Sequence, residues 1–378
     1  MISTGLLLLG CFTTRADDSL ISSVKIKKSQ STLVESTLGI NLFIQPLLRV
    51  TNYQTTRDSI FAQAALNRAK IDLQSVQTTP IGTLEAEVKL DCSKFLENNT
   101  VEALNVATIS YSPAKRTTFM VGRFKTPFGL DLNTASSKLF FIERTRTSDY
   151  IRNTLQVGGY QQGFMVTGDL PFKIKIKGAL FDYTANTQTS ELYQQLLSLP
   201  MAHIEYKPIK GLSLHYAIAA PGLGSTLASG RTFTYQTTIH DLGIKFKIPE
   251  IYEGSLETFI GDPGLHDPLR LAQWPHLNTF IDYSLTLQNK LSFQFLNCPL
   301  SAALEVEYLS GNNPLPYSIS EAILWNILPT LSLQAAFNHL HDRNFTIQNR
   351  QTFALQATYS YSIELIPPAI NGTEHDPD

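Results

Sequence analysis

The sequence lacks the long apolar runs from which membrane-spanning helices are built. Beyond the extreme N-terminus, no segment approaches the roughly 18 consecutive apolar residues that such a helix requires. Only 16% of the 378 residues are charged, whereas about 25% is typical of soluble proteins. Yet 43% of the residues are apolar and the mean hydropathy is close to zero, at -0.05. The apolar residues must therefore be dispersed among polar ones.

Strong charge is also missing. The formal net charge is -2, and no basic run is interleaved with aromatic residues. Proteins that bind nucleic acid usually carry a basic patch of that kind. The sequence therefore predicts no nucleic-acid partner.

Cysteines and catalytic motifs are scarce. Of three cysteines, Cys11 lies near the N-terminus, which leaves Cys92 and Cys298 for one disulfide, and no spacing is typical of a metal-cysteine cluster. No Gly-x-Ser-x-Gly elbow or phosphate-binding glycine loop occurs. The chain is therefore predicted to be no enzyme and to need no cofactor. A metal site at His339, His341 and Asp342 is an alternative to ordinary solvated histidines at a loop edge.

Apolar and polar residues alternate along many segments. From Thr352 to Leu365 the alternation is unbroken for fourteen residues, with phenylalanine, leucine, tyrosine and isoleucine on one face. Such a period of two is typical of a β-strand with one apolar face. A soluble strand has about 5 to 6 residues, whereas a tilted strand that crosses a bilayer needs about 9 to 11. The length therefore favours the wall of a membrane barrel.

The same pattern recurs with charged residues on the polar face. It covers residues 84–91, 172–180 and 241–248, and the segment 172–180 places Lys173, Lys175 and Lys177 on one face. Further candidate strands are 202–207, 212–218, 279–287, 291–296, 304–308 and 331–337, with turn residues at 208–211, 288–290 and 311–314. About 16 segments can be placed in this way. Because an open sheet edge is not tolerated in lipid, the prediction is an all-β, antiparallel transmembrane β-barrel of about 16 strands.

The ends of the chain differ from the barrel. Residues 1–16 are predicted to be an export signal with an apolar core at Leu6 to Leu9. Residues 17–365 are then the barrel, and 366–378 form a polar tail. The sequence Leu8-Leu9-Gly10-Cys11 also resembles a lipoprotein processing box, in which Cys11 would be lipidated.

A family resemblance is carried by three motifs. These are Val121-Gly122-Arg123-Phe124-Lys125-Thr126-Pro127-Phe128-Gly129-Leu130, then Leu139-Phe140-Phe141-Ile142-Glu143-Arg144-Thr145, and, upstream, Asn67-Arg68-Ala69-Lys70-Ile71-Asp72-Leu73. Together they resemble the phosphate-selective porin O and P family of Gram-negative outer membranes. The resemblance implies a 16-stranded barrel, usually trimeric, with a basic channel for phosphate or other small anions. The partners it implies are outer-membrane lipid, small anions and the other subunits of a homotrimer.

Residues 130–160 form the longest stretch without alternation, and a loop of this length in a compact barrel is usually functional. We predict that it folds into the lumen, where Lys138, Arg144, Arg146 and Arg152 outnumber Glu143 and Asp149. Rings of cations at a constriction favour anions. The predicted pore-lining, anion-attracting residues are Arg68, Lys70, Arg123, Lys125, Arg144, Arg146, Arg152, Lys173, Lys175 and Lys177.

Other interpretations remain open from sequence alone. Each cation could instead pair with an acid on a neighbouring strand or lie at the lipid headgroup rim. The alternating segments could form a soluble β-sandwich. A membrane barrel could also be a non-conducting structural or adhesive protein whose outer loops bind a partner. The prediction preferred here is an outer-membrane porin for small hydrophilic solutes, with a preference for anions such as phosphate.

Overall fold

The part of the chain that the structure describes forms sixteen β-strands. The computed structural model describes residues 35–54, 59–96, 100–114, 116–185, 193–221, 238–261, 281–295, 298–311, 317–341 and 349–364. The predicted export signal, Cys11 and the C-terminal tail lie outside these residues. The strands are β1 Glu35–Gln54, β2 Ser59–Thr79, β3 Gly82–Asp91, β4 Leu104–Ala114, β5 Thr117–Lys125, β6 Tyr160–Leu170, β7 Ile174–Ala185, β8 Tyr193–Tyr206, β9 Leu212–Ala219, β10 Ile239–Ile248, β11 Tyr252–Ile260, β12 Ile281–Phe295, β13 Cys298–Gly311, β14 Tyr317–Leu328, β15 Leu331–His341 and β16 Asn349–Glu364.

The sheet closes on itself. Every strand pairs antiparallel with its neighbours in sequence, and β1 pairs with β16 from Gly39↔Glu364 to Gln54↔Asn349. No strand edge is left open in the described barrel, so the wall meets the requirement that lipid imposes on backbone amides. The predicted closed barrel of 16 strands is confirmed, and the β-sandwich alternative is wrong.

Alternation gives the wall an apolar outside. On β16, the side chains of Phe353, Leu355, Tyr359 and Tyr361 are 43 to 46% exposed on the outer surface. Between them, Ala354 and Gln356 are buried on the inner face, at 5% and 3% exposure. An outer band of exposed apolar and aromatic residues is typical of a wall that faces lipid.

The two ends of the barrel differ. Connections after even-numbered strands contain two to five residues, and those after odd-numbered strands contain four to 34. We call these the short-turn end and the loop end. The described helices lie in loop-end connections: α1 Cys92–Leu96, α2 Thr100–Ala103, α3 Leu130–Asn133 and α4 Arg146–Asp149. In the described part of the chain, no helix has the length and apolarity needed to span a bilayer.

One sequence prediction on local structure needs correction. Residues 288–290, predicted to be a turn, lie inside β12. Gln288 donates to Glu305 Oε2 at 2.8 Å and Lys290 reaches Glu253 Oε2 at 3.4 Å. Polar residues that look like a turn therefore serve as the inner face of a strand.

The disulfide between Cys92 and Cys298 that the sequence leaves open does not form. Cys92 is a free cysteine. It begins α1 at the loop end, whereas Cys298 begins β13 at the short-turn end. The two positions are therefore at opposite ends of the wall, too far apart for a disulfide.

The connection between β5 and β6, residues 126–159, lies inside the barrel; we call it the inward loop. Gly129, with a φ of 81°, precedes α3 and takes a backbone conformation that glycine tolerates best. One side of the loop packs in an apolar cluster with the inner wall, in which Phe128, Ile151 and Leu155 meet Phe181 and Phe259. The predicted inward-folded loop is confirmed.

Candidate functional site

Two buried carboxyl groups of the wall fix the inward loop. Glu257 of β11 accepts hydrogen bonds from the backbone nitrogens of Leu130 (2.7 Å) and Asp131 (3.1 Å), at the start of α3. Glu307 of β13 accepts in the same way from the backbone nitrogens of Arg146 (3.1 Å) and Thr147 (2.8 Å), at the start of α4. Carboxylates at helix N-termini satisfy amides that have no partner in the helix. Each short helix is therefore anchored to the wall.

Further contacts hold the loop between the two anchors. Gln334 Nε2 donates to the carbonyl oxygen of Phe140 at 2.7 Å, and Lys290 Nζ lies 4.7 Å from the centre of the Phe140 ring. Ile142 packs against Leu47 and Ala354. The loop thus contacts strands from most of the circumference and narrows the lumen.

Cations from three strands and the loop converge around Thr134. Its carbonyl oxygen accepts from Lys125 Nζ at 3.1 Å and from Arg144 Nη2 at 2.7 Å. Its hydroxyl accepts from Lys245 Nζ at 3.2 Å. Nearby, Lys70 Nζ donates to Ser136 Oγ at 3.2 Å. Backbone and hydroxyl oxygens therefore position these cations without neutralising them.

Two further arginines complete this group. Arg68 interacts electrostatically with Arg144 and Arg152, and its Nη1 donates to Gln45 Oε1 at 2.9 Å. Gln45 in turn donates to Thr358 Oγ1 at 2.9 Å, which fixes its orientation. We call Arg68, Lys70, Lys125, Arg144, Arg152 and Lys245 the cation cluster.

Acids offset only part of this charge. Asp91 lies 4.0 Å from Lys70, Asp131 lies 3.8 Å from Arg144, and Asp149 lies 3.4 Å from Arg152. Next to the cluster, Lys89 pairs with both Asp72 (3.0 Å) and Glu87 (2.8 Å). Seven cations against five acids leave an excess of two positive charges, which favours anions in a narrow, low-dielectric space.

Five of the ten predicted pore-lining residues thus come together: Arg68, Lys70, Lys125, Arg144 and Arg152. Arg146 lies elsewhere on the inward loop, at the start of α4. Burial lowers the pKa of its guanidinium to about 10. The charge of Glu307 raises this pKa, and the charge of Arg350 lowers it further. Arg146 therefore remains charged at neutral pH, close to the wall formed by β13 and β16.

The structure does not bring Arg123 into the cation cluster. Arg123 occupies the same alternating face of β5 as Phe119 and Val121, whose side chains are exposed on the outer surface. Its Nε donates to the carbonyl oxygen of Leu104 at 2.7 Å. This contact supports the backbone beside α2 and gives Arg123 a structural role.

The three predicted lysines of β7 also lie apart from the cluster. The strand begins at Ile174, so Lys173 lies in the exposed turn before it. Lys175 Nζ lies 3.7 Å from Asp169 Oδ1, at the short-turn end. Lys177 is opposite His203 in the register of β7 and β8. The three lysines lie towards the short-turn end of the barrel, away from the inward loop.

The anchors and two wall arginines were not recognised from the sequence as parts of the site. No motif in the sequence marks Glu257 or Glu307 as a contact of the loop. Arg49 and Arg350 occupy inward positions of β1 and β16, as the alternation on either side of them would have indicated. Their proximity to the inward loop, however, depends on contacts between residues far apart in sequence.

No group of three or more His, Cys, Asp or Glu side chains in the described ranges is arranged to hold a metal ion. The outer-facing His339 is opposite Ile319 and Gln351 in the register. Asp342 lies outside the described residues.

Asp149 gives the site a predicted pH dependence. Its burial in the barrel interior raises the pKa of its carboxyl to about 6, although Arg152 acts in the opposite direction. The carboxyl is then mostly charged at pH 7.5 and mostly neutral at pH 5. Acidification therefore removes one negative charge beside the cation cluster. We expect the anion preference to rise between these values, measured as the zero-current potential in asymmetric KCl. Asp149→Asn should make this step smaller; an unchanged pH profile in the variant would contradict the assignment.

Comparison with protein families is consistent with this arrangement. Residues 56–215 match the family model Phosphate-selective porin O and P. The match runs from just before β2 into β9 and includes the whole inward loop. It confirms the resemblance inferred from the sequence motifs. None of the curated proteins matches the chain.

Solved porin structures share the fold. An anion-selective porin from Comamonas acidovorans is 10% identical, with a TM-score of 0.59, and the similarity covers 86% of this chain and 100% of that one. A triple mutant of the Rhodopseudomonas blastica porin is 12% identical (TM-score 0.52, 86% and 100% covered). A loop deletion mutant of OmpT, an outer membrane protein of Vibrio cholerae, is 9% identical (TM-score 0.53, 86% and 99% covered). At these identities the similarity concerns the fold. The matched family model and two of these three structures are described as porins.

Proposed function

We propose that this protein is an outer-membrane porin through which small hydrophilic solutes diffuse passively, with a preference for anions. The observation that carries the proposal is the cation cluster, held inside a closed barrel by an inward loop that narrows the lumen. The family match and the similarity to an anion-selective porin support it. The mechanism requires no chemical step and no energy source.

The physical basis of the preference is electrostatic. An ion that passes the inward loop loses part of its hydration, and the excess of two cations stabilises an anion there more than a cation. Arg68 and Arg152 offer planar forks that match oxyanions such as phosphate, whereas Lys70 and Lys125 act as point charges. Chloride and phosphate can therefore both be accommodated, with phosphate gaining from bidentate contacts.

The proposal extends to the surroundings of the barrel. The apolar outer band supports contact with outer-membrane lipid, which requires export by the N-terminal segment. The family resemblance supports a homotrimer. Chemical cross-linking of the protein in intact outer membranes should give a limiting product of three chains; a limiting product of one chain would contradict the trimer.

Planar-bilayer recording tests the channel directly. The purified protein should give discrete conductance steps in symmetric KCl. In asymmetric KCl, the zero-current potential should have the sign of a chloride-preferring pore. Phosphate added to the KCl solution should reduce the chloride current, because the guanidinium groups bind phosphate for longer than they bind chloride. A barrel that inserts without conducting would instead favour the structural or adhesive alternative.

A further inference from the structure

A polar cavity lies between the inward loop and the barrel wall, away from Lys70 and Lys125. It has a volume of about 100 Å³ and is enclosed by residues 141–149 of the loop and by β13 to β16 and β1. The floor is made of small wall residues, including Ser318, Ser320, Ala336 and Ala354. A space of this size holds several waters or one small organic ion. Its lining carries four guanidinium groups and four carboxyl groups, from Arg49, Arg144, Arg146, Arg350, Glu143, Asp149, Glu305 and Glu307.

Arg350 and Arg49 form the cationic side of the cavity. Within the described ranges, the guanidinium of Arg350 has no hydrogen-bonded or ionic partner, and its buried Nε is unsatisfied. The buried Nε of Arg49 is also without a partner, while its Nη2 pairs with Glu143. Arg146 adds a third guanidinium at the cavity. Buried donors without acceptors are unfavourable, and a carboxylate is the small group that best fits the guanidinium fork.

Glu305 forms the acidic side. Its side chain is only 4% exposed. The two carboxyl oxygens accept from Gln288 Nε2 at 2.8 Å and Ser320 Oγ at 3.1 Å. In the part of the chain that the structure describes, no cation lies within ion-pair distance of it. An ionised carboxylate offers about four acceptor positions, so Glu305 can still accept from an ammonium group, whose positive charge favours the ionised form of the carboxyl.

The two sides are separated by the architecture of the wall. Glu305 is opposite Ser320, which is opposite Asn338, which is opposite Thr352 in the strand register. These four positions span three strand spacings, roughly 14 Å between the outermost backbones. Arg350, two residues from Thr352, lies on the far side of this row from Glu305. The side chains of Arg350 and Glu305 extend into the space between them. The small side chains of the cavity floor leave room there for a ligand.

We propose that this cavity binds a small zwitterion, such as an α-amino acid. Its carboxylate is held by Arg350 and Arg49, and its ammonium is held by Glu305. This inference rests on the proposed channel only for access to the cavity, since the binding groups are not those of the cation cluster. The protein would then be a channel that passes anions and also has a binding site for amino-acid-like solutes.

Three compounds of similar size test the inference on the wild-type protein. L-alanine carries both charges, L-lactate replaces the ammonium by a hydroxyl, and L-alaninol replaces the carboxylate by a hydroxymethyl group. Equilibrium dialysis with the detergent-solubilised protein should show alanine bound at least about tenfold more tightly than either analogue, because each analogue leaves one charged side unpaired. Lactate bound as tightly as alanine would reduce the cavity to an anion site, and no preference for alanine would overturn the proposal.

Two variants then assign the charges to residues. Arg350→Met should lower alanine affinity at least about tenfold and leave L-alaninol affinity unchanged. Glu305→Gln should lower alanine affinity by a similar factor and leave L-lactate affinity unchanged. Equal losses for all three compounds would overturn the assignment. A wild-type channel that conducts chloride but shows no alanine preference refutes this inference alone, whereas a non-conducting barrel refutes the proposed function.

Discussion

The double variant Lys70→Gln/Lys125→Gln is expected to lose its anion preference. Both side chains hydrogen-bond to the inward loop, Lys70 at Ser136 and Lys125 at the Thr134 carbonyl, and glutamine keeps a donor without the charge. A unit charge about 6 Å from a permeating ion contributes about 0.7 to 2.8 kcal/mol, for an effective dielectric constant between 80 and 20. Removing two charges should therefore reduce the chloride-to-potassium permeability ratio at least about tenfold, measured from the zero-current potential in asymmetric KCl.

A matched variant distinguishes position from total charge. Lys207→Gln/Lys247→Gln removes the same charge from the short-turn end. There, Lys207 lies 2.9 Å from Glu205 and Lys247 lies 3.6 Å from Glu253, and both lysines are more than half exposed. Exposed charges are screened by salt. We expect less than a third of the shift of the first variant. Equal shifts would show that the inward loop does not determine selectivity.

The second large effect is expected from releasing the inward loop. In Glu257→Gln/Glu307→Gln, each carboxylate that accepts from two backbone nitrogens is replaced by an amide with one acceptor oxygen. An unsatisfied buried group costs about 1 to 3 kcal/mol, so the double variant loses roughly 2 to 6 kcal/mol of loop anchoring. The loop should then leave the wall for part of the time. Single-channel records should show a larger mean conductance with strong open-channel noise.

Glu253→Gln provides the control for this variant. Glu253 lies on the same face of β11, four residues before Glu257, but it contacts Lys290 and Lys247 rather than the loop backbone. Its removal should leave open-channel noise at the wild-type level. All variants are first checked for the heat-dependent gel migration of a folded barrel. A folded double variant with quiet, wild-type currents would mean that the two carboxyl groups do not hold the loop.

The strands could be predicted because lipid imposes a simple rule on each of them. In β16, every second residue faces lipid, and Phe353 to Tyr361 appear in the sequence as an unbroken alternation. The rule fails where the inner face looks like a turn. Gln288, Asn289 and Lys290 are polar and adjacent, yet they continue β12 because the water-facing side of the wall accepts polar groups and Asn289 bonds with Tyr252.

The cation cluster could be predicted only in part. Arg68, Lys70 and Lys125 were recognised because they are basic residues in motifs with a family resemblance, and Arg144 and Arg152 because they lie in a long unpatterned segment. Arg123 lies in the same motif and on the same alternating face of β5 as Lys125, yet it bonds to the carbonyl of Leu104, whereas Lys125 at the end of the strand reaches Thr134 of the inward loop. A motif states which residues are present, whereas tertiary contacts decide which of them reach the loop.

By itself, the amino-acid sequence determined the fold: a closed β-barrel of about sixteen strands with an apolar outer surface, and a long segment between two of the strands. Those features depend on the local period of two and on the exclusion of unpaired amides from lipid, both of which are visible in neighbouring residues. Only the tertiary structure decided that Glu257 and Glu307 hold the loop, that three cations bond to Thr134, and that Arg350 and Glu305 line one cavity. These residues are separated by up to hundreds of positions, and closure of the barrel brings them into the same lumen.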